Sequence, residues 1–143
     1  MKETYTQMKN RQMKELNAFP IQFAFNDDQL ADGMKALGLA PEETDKVIGI
    51  GFGGFVRRTD LDAFHEMMDR HSKELHDALM SEKNGKGFAY DAFLTELEDH
   101  EYCVTGDEMD AVCALGLSFD DIAKSRPLMK ALSNAKIKAY HAY

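Results

Sequence analysis

One hundred and forty-three residues, 44% hydrophobic and 29% charged, make a chain of ordinary domain size that can bury a core without staples. A disordered tail, a collagen-like repeat and a disulfide scaffold are excluded, the last because two cysteines are too few. With 17 basic against 25 acidic residues the net charge is −8, the wrong sign for a general duplex-DNA binder, whose affinity comes largely from neutralised phosphates.

Residues 2–18 contain no Gly or Pro and set Tyr5, Met8, Gln12, Leu16 and Phe19 at helical spacing, predicting a helix stopped by Pro20. Phe19, Ile21, Phe23 and Phe25 then alternate with Pro20, Gln22 and Ala24, the pattern of a short strand. Asn26 followed by Gln29 is N-cap chemistry, opening a helix that carries Leu30, Met34 and Leu37 and ends at Gly38. Pro41-Glu42-Glu43 predicts one helical turn. Residues 46–57 predict a β-hairpin turning near Gly51–Gly54. Thr59 or Asp60 is the expected cap of the longest helix, residues 60–82, with Leu61, Phe64, Met68, His71, Leu75 and Leu79 inward.

After a turn at Asn84-Gly85 and Gly87, a helix over 88–99 turns Ala89, Tyr90, Phe93, Leu94 and Leu97 inward. Thr105-Gly106 opens a helix that ends at Gly116, Ser118 with Asp121 caps a short one, and residues 126–140 form the last. The expected fold class is α+β, mainly helical, with about six helices, one short strand and one small Gly-rich β-hairpin. A single globular domain over 1–143 is expected, with helices 2–18 and 126–140 peripheral to it. Ala36-Leu37-Gly38-Leu39 is echoed by Ala114-Leu115-Gly116-Leu117, which reads as two helix ends sharing one glycine stop rather than as a repeat.

Charge is unevenly spread. Between Lys86 and Lys124 there is no Lys or Arg, while the interval holds Asp91, Glu96, Glu98, Asp99, Glu101, Asp107, Glu108, Asp110, Asp120 and Asp121. Residues 122–143 carry Lys124, Arg126, Lys130, Lys136 and Lys138 and no acid. An acidic centre attracts a basic partner surface and speeds the encounter at low salt. The first eight acids, Asp91 to Asp110, are therefore the candidate partner-binding residues.

Cys103 and Cys113 sit beside apolar residues and are expected as buried free thiols. The segment Met1-Lys2-Glu3-Thr4-Tyr5 lacks the apolar core of a signal peptide, and no apolar run approaches a bilayer span, so the expected compartment is the cytoplasm.

Motifs that could carry chemistry fail on their context. Gly49-Ile50-Gly51-Phe52-Gly53-Gly54 has phosphate-loop spacing, but Phe55-Val56-Arg57 follows it as a strand where a phosphate loop opens a helix. Glu82-Lys83-Asn84-Gly85-Lys86-Gly87 resembles the start of a calcium loop, yet Lys86 and Phe93 occupy positions that need oxygen ligands. His65 and His76 lie about 16 Å apart along one helix and cannot share an ion. His65 with Asp69 offers two ligands at most, and His71 falls in the apolar stripe. Asp110–Arg126 has helix-turn-helix spacing, but its second helix begins Ser118-Phe119-Asp120-Asp121, carboxylates where phosphates would lie. No catalytic residue, metal site or cofactor is expected.

Phe19-Pro20, Phe23-Ala24-Phe25-Asn26, Leu37-Gly38-Leu39, Gly53-Gly54-Phe55, Asp69-Arg70-His71, and His100-Glu101-Tyr102-Cys103 with Thr105-Gly106-Asp107 resemble a family of small uncharacterised proteins. That family is encoded in conjugative elements and prophages of gut Gram-positive bacteria, and the resemblance runs from about residue 1 to about residue 125. It implies a mobile-element setting and no assigned activity. The function expected is a non-enzymatic interaction protein presenting an acidic face to a basic partner, as an anti-CRISPR or antirestriction inhibitor that mimics nucleic acid. A helix-turn-helix regulator of the element and a small enzyme are the alternatives. The partner expected is a nuclease or other nucleic-acid-binding protein, with neither duplex DNA nor membrane bound directly.

Overall fold

A computed structural model describes residues 2–141 and has eight α-helices and one small antiparallel sheet. The helices are α1 (Tyr5–Ala18), α2 (Asp27–Ala36), α3 (Leu61–Met80), α4 (Phe88–Asp99), α5 (Tyr102–Thr105), α6 (Met109–Ala114), α7 (Phe119–Ala123) and α8 (Arg126–Tyr140). Strands β1 (Gln22–Phe23), β2 (Val47–Gly51) and β3 (Gly54–Arg57) lie in the order β1-β3-β2. Two compact units result, one from the chain up to Arg11 and from His71 onward, the other from Gln12–Arg70.

In the second unit, Asn26 opens α2 as expected: its side chain accepts the Gln29 N–H at 2.8 Å, and Asp27 and Asp28 occupy the favoured first turn. Phe55 and Gln22 pair across β3 and β1 and face α2, where Phe55 packs with Met34 and Leu37. Gly33 is what admits this ring, since a Cβ there would stand 2.6 Å from the Phe55 Cζ. The hairpin turns through Phe52 and Gly53, both at positive φ (54° and 78°), the primed turn whose twist matches paired strands. Gly54 lies outside the positive region, so the left-handed positions are Gly51, Phe52 and Gly53, of which only Phe52 bears a side chain. A Cβ on Gly53 would also fall 2.5 Å from the Phe25 ring. Gly53→Val is accordingly expected to cost about 1–3 kcal/mol in denaturant unfolding, against a smaller loss for Gly51→Ala, whose added methyl meets nothing.

Between the hairpin and α3 the expected Thr59 or Asp60 cap is absent. A 3-10 turn over Arg58–Asp60 leads directly into the helix, and the Asp60 carboxylate instead accepts from Arg57 Nε at 2.7 Å. The single turn expected at Pro41-Glu42-Glu43 forms three residues later, as a 3-10 turn over Thr44–Lys46. On α3 it is Met67, not Met68, that is buried, while His71 and Leu79 are buried as the stripe predicts.

The first unit is organised around α4. Ala89, Ala92, Phe93 and Leu97 have no exposed surface and share one core with Leu79, Val112, Leu115, Ile122, Leu128 and Ala135. Burying Phe93 and Leu97 alone is worth roughly 1.5–3 kcal/mol each. Helix α8 supplies Leu128, Ala131, Leu132, Ala135 and Ala139 to this core, and its small alanines allow close approach to α4. Ser125 caps it by accepting the Leu128 N–H, and Pro127 sits where an N–H would go unbonded.

The echoed glycine stops are one motif used twice. Leu39 N–H bonds the Met34 carbonyl and Gly38 N–H that of Lys35, and Leu117 and Gly116 repeat the pattern to Val112 and Cys113. Gly38 and Gly116 sit at φ 77° and 71°, the left-handed residue that this helix stop requires. The helix expected from Thr105 is shorter and later. Residues Tyr102–Thr105 already form a separate turn of helix, and Gly106 at φ 67° reverses the chain before α6 begins at Met109. Neither cysteine is buried as expected: Cys103 is half-buried and Cys113 exposed, because α6 turns Ala111 and Val112 to the core instead.

Candidate functional site

The eight candidate acids divide into four groups. Glu96 lies inside the first unit and is not part of any face. Its carboxylate accepts a hydrogen bond from the Tyr5 hydroxyl and another from Lys9 Nζ at 3.0 Å, with His100 Nδ1 3.7 Å away. Tyr5 and Lys9 are one turn apart on α1, so the first turns of that helix are tied to the middle of α4 through one buried carboxylate. The Phe88 ring meets Tyr5 edge-on at 6.0 Å and closes the cluster. Burial, and then the Glu96 carboxylate, push the Tyr5 phenol well above its ordinary range.

Glu108 and Asp99 are partly answered by cations. Lys136 Nζ on α8 stands 3.2 Å from Glu108, and Lys9 Nζ stands 3.8 Å from Asp99. The run without bases between Lys86 and Lys124 is thus compensated in space by lysines from both basic ends of the chain. Asp91 is half-buried in the first turn of α4, where the helix dipole favours it.

Glu98, Glu101, Asp107 and Asp110 remain exposed, together with the outer part of Asp99, along the path from the end of α4 through α5 into α6. Glu98 and Asp99 occupy the last turn of α4, which holds no basic residue, so they face the negative end of its dipole. Glu101 sits at φ 56°, a left-handed conformation that costs a side-chain-bearing residue of order 1 kcal/mol. Asp107 is held by a local turn: its carboxylate accepts the Met109 N–H at 2.9 Å, and its own N–H donates to the Thr105 hydroxyl at 3.2 Å. In the middle of this path Val104 is 79% exposed.

A second carboxylate, Glu82, was expected only as a failed calcium ligand, yet it is buried. It accepts from the backbone N–H of Gly87 (3.1 Å), Tyr90 (3.2 Å) and Lys83 (3.1 Å), and so closes the start of α4, whose N-cap residue is a glycine with no side chain to offer. The helix-turn-helix segment consists of helices of six and five residues, shorter than a helix that reads a groove, with Asp120 and Asp121 opening the second. The Asp121 carboxylate is held low by the Ser118 backbone N–H that it accepts in the capping box. Among the described residues no three His, Cys, Asp or Glu gather closely enough to hold a metal ion. The glycine-rich run is strand, turn and strand, with no helix start to present N–H groups to a phosphate. Among the described residues no helix is long and apolar enough to cross a membrane.

The chain belongs to a family of unknown function, DUF7659, whose profile matches residues 4–138, reaching past residue 125 into α8. No curated protein and no solved structure matches it.

Proposed function

We propose that the chain is a non-enzymatic interaction protein whose acidic corner, the end of α4 with α5 and the start of α6, receives a basic surface of a partner. The observation that carries this reading is Val104, 79% exposed and flanked along the chain by exposed Glu98, Asp99, Glu101, Asp107 and Asp110. An apolar contact with a charged rim is the make-up of a protein–protein interface. Folding alone gives no reason for two carboxylates at a helix C-terminus beside a left-handed glutamate. Arginines of a partner would pair with these carboxylates in forked, charge-assisted hydrogen bonds. In its most specific form the partner is a CRISPR or restriction nuclease, and the carboxylates stand in for nucleic-acid phosphates. The resemblance to accessory proteins of mobile elements supports that form. The reading requires no cofactor.

The test is the triple change Glu98→Gln, Asp99→Asn, Glu101→Gln. Relief of the helix dipole should leave stability unchanged or raised by roughly 0.3–1 kcal/mol per residue, least at Asp99, whose carboxylate has Lys9 near it. Partner affinity should fall and its salt dependence flatten. Unchanged affinity would reduce the acids to surface solvation, and loss of folding would make them structural. A gel shift of duplex DNA by the unaltered chain would favour the regulator instead.

A further inference from the structure

The loop between α3 and α4 holds Asn84-Gly85, where the asparagine side chain carries an electrophilic carbon next to a backbone nitrogen with no Cβ to hinder its approach. Of the five asparagines in the chain, Asn84 alone precedes a glycine. Its side chain is exposed, and its Oδ1 accepts the Lys86 N–H at 2.9 Å. That donor polarises the Cγ carbonyl and stands ready for the oxyanion that forms when Cγ is attacked. Among the described residues the Gly85 N–H has no acceptor, so the attacking nitrogen is not held back by a bond of its own. Lys83 and Lys86, both exposed, flank the pair in the chain, while the Glu82 carboxylate is turned to the Gly87 and Tyr90 N–H groups.

The same glycine is fixed to α8. Its carbonyl accepts from Asn134 Nδ2 at 3.0 Å, and a Cβ on it would stand 2.6 Å from the Lys130 Cγ. At φ 78° it also occupies backbone space that favours glycine. The fold therefore keeps Gly85 for its own reasons and keeps Asn84 for the turn, and together they form a reactive pair.

We infer that Asn84 is a site of spontaneous backbone modification in the folded chain, converting to isoaspartate and thereby releasing the α3–α4 loop from α8. The Gly85 nitrogen gives its proton to hydroxide and bonds to Asn84 Cγ. The Cγ–Nδ2 bond breaks, and Nδ2 takes a proton from water and leaves as ammonia, giving a succinimide ring. Water then opens the ring at either carbonyl. Breaking the new bond gives aspartate, and breaking the original peptide bond gives isoaspartate, whose main chain is longer by one methylene. That insertion, about 1.5 Å of extra backbone, cannot keep Gly85 seated on both Asn134 and Lys130. The loop precedes the start of α4 and the acidic corner follows its end, so failure here leaves the reading of that corner standing.

The full chain incubated in mildly alkaline buffer made with ¹⁸O water, then mapped by peptide mass spectrometry, tests the site. Asn84 should gain the mass of hydrolysis with ¹⁸O incorporated, ahead of Asn10, Asn17, Asn26 and Asn134, and the conversion should slow in mildly acidic buffer. The folded chain should convert about twofold to tenfold faster than the same chain in urea, which is the rate value of one preset hydrogen bond. Asn84→Gln should abolish the change at this position. The isoaspartate form, separated by chromatography, should unfold at lower urea than the unaltered chain, whereas Asn84→Asp, which keeps the acceptor and the backbone length, should not. Slower conversion in the folded chain than in urea would overturn the inference, and so would an unmodified Asn84. An isoaspartate form as stable as the unaltered chain would overturn the release of the loop.

Discussion

Glu96→Ala is expected to cost about 3–5 kcal/mol of unfolding free energy, because the buried Tyr5 hydroxyl loses its acceptor and Lys9, itself half-exposed, loses the nearer of its two carboxylates. Tyr5→Phe removes one donor and keeps the ring that meets Phe88, so its loss should be nearer 1–2 kcal/mol. The two variants also differ in pH dependence. An unfolded phenol titrates near pH ~10, while burial and the Glu96 carboxylate hold the Tyr5 proton to higher pH in the folded chain. Its contribution to stability is therefore complete below pH ~10 and declines above it, by at most about 1.4 kcal/mol per pH unit. Urea unfolding of the unaltered chain and Tyr5→Phe from about three pH units below that onset to about one above it should give curves that converge in the alkaline limb. Parallel curves would show that Tyr5 ionises as freely in the folded state as in the unfolded one.

Glu82→Ala should be nearly as damaging, at about 2–4 kcal/mol, since three backbone N–H groups at the entrance to α4 lose their acceptor together. Glu82→Gln keeps an acceptor oxygen but gives up the charge at the positive end of the helix dipole, and about half that loss is expected. The effect should be local as well as global. Amide exchange at Gly87 and Tyr90 should accelerate more than at Leu97, which is bonded within the helix interior. Equal acceleration along the whole of α4 would mean that Glu82 acts only through global stability.

Local chemistry was legible in the sequence and distant pairing was not. The Asn26 and Ser118 caps, the Gly38 and Gly116 stops and the bounds of α4 and α8 depend on residues within a few positions of one another, so spacing alone reveals them. Three acids of the acidic run are offset by Lys9 and Lys136, whose sequence separations from Glu96 and Glu108 are 87 and 28 residues. No window along the chain contains both partners. Glu82 was misread because a carboxylate before Asn84-Gly85 suggests an ion loop, while a carboxylate folding back onto Gly87 depends on the path of that loop. The Tyr5–Lys9 spacing of one helical turn was a usable signal that a buried acid awaits both. Met67 in place of Met68 is a phase error of one residue on a long helix. Of the eight candidate acids, Glu98, Glu101, Asp107 and Asp110 are exposed as a binding face requires, and Val104 among them has no periodicity to announce it.

Affinity capture from a lysate of the encoding organism tests the acidic corner most directly, run in parallel with the unaltered chain and with the Glu98→Gln, Asp99→Asn, Glu101→Gln variant. Capture at about 0.05 M and about 0.5 M salt separates charge-driven binding from the rest. The account predicts that basic nucleic-acid-binding proteins, a nuclease among them, are retained by the unaltered chain at low salt. Their recovery should drop by about tenfold or more in the variant, and similarly at high salt. Equal recovery of the same proteins by a folded variant would contradict it.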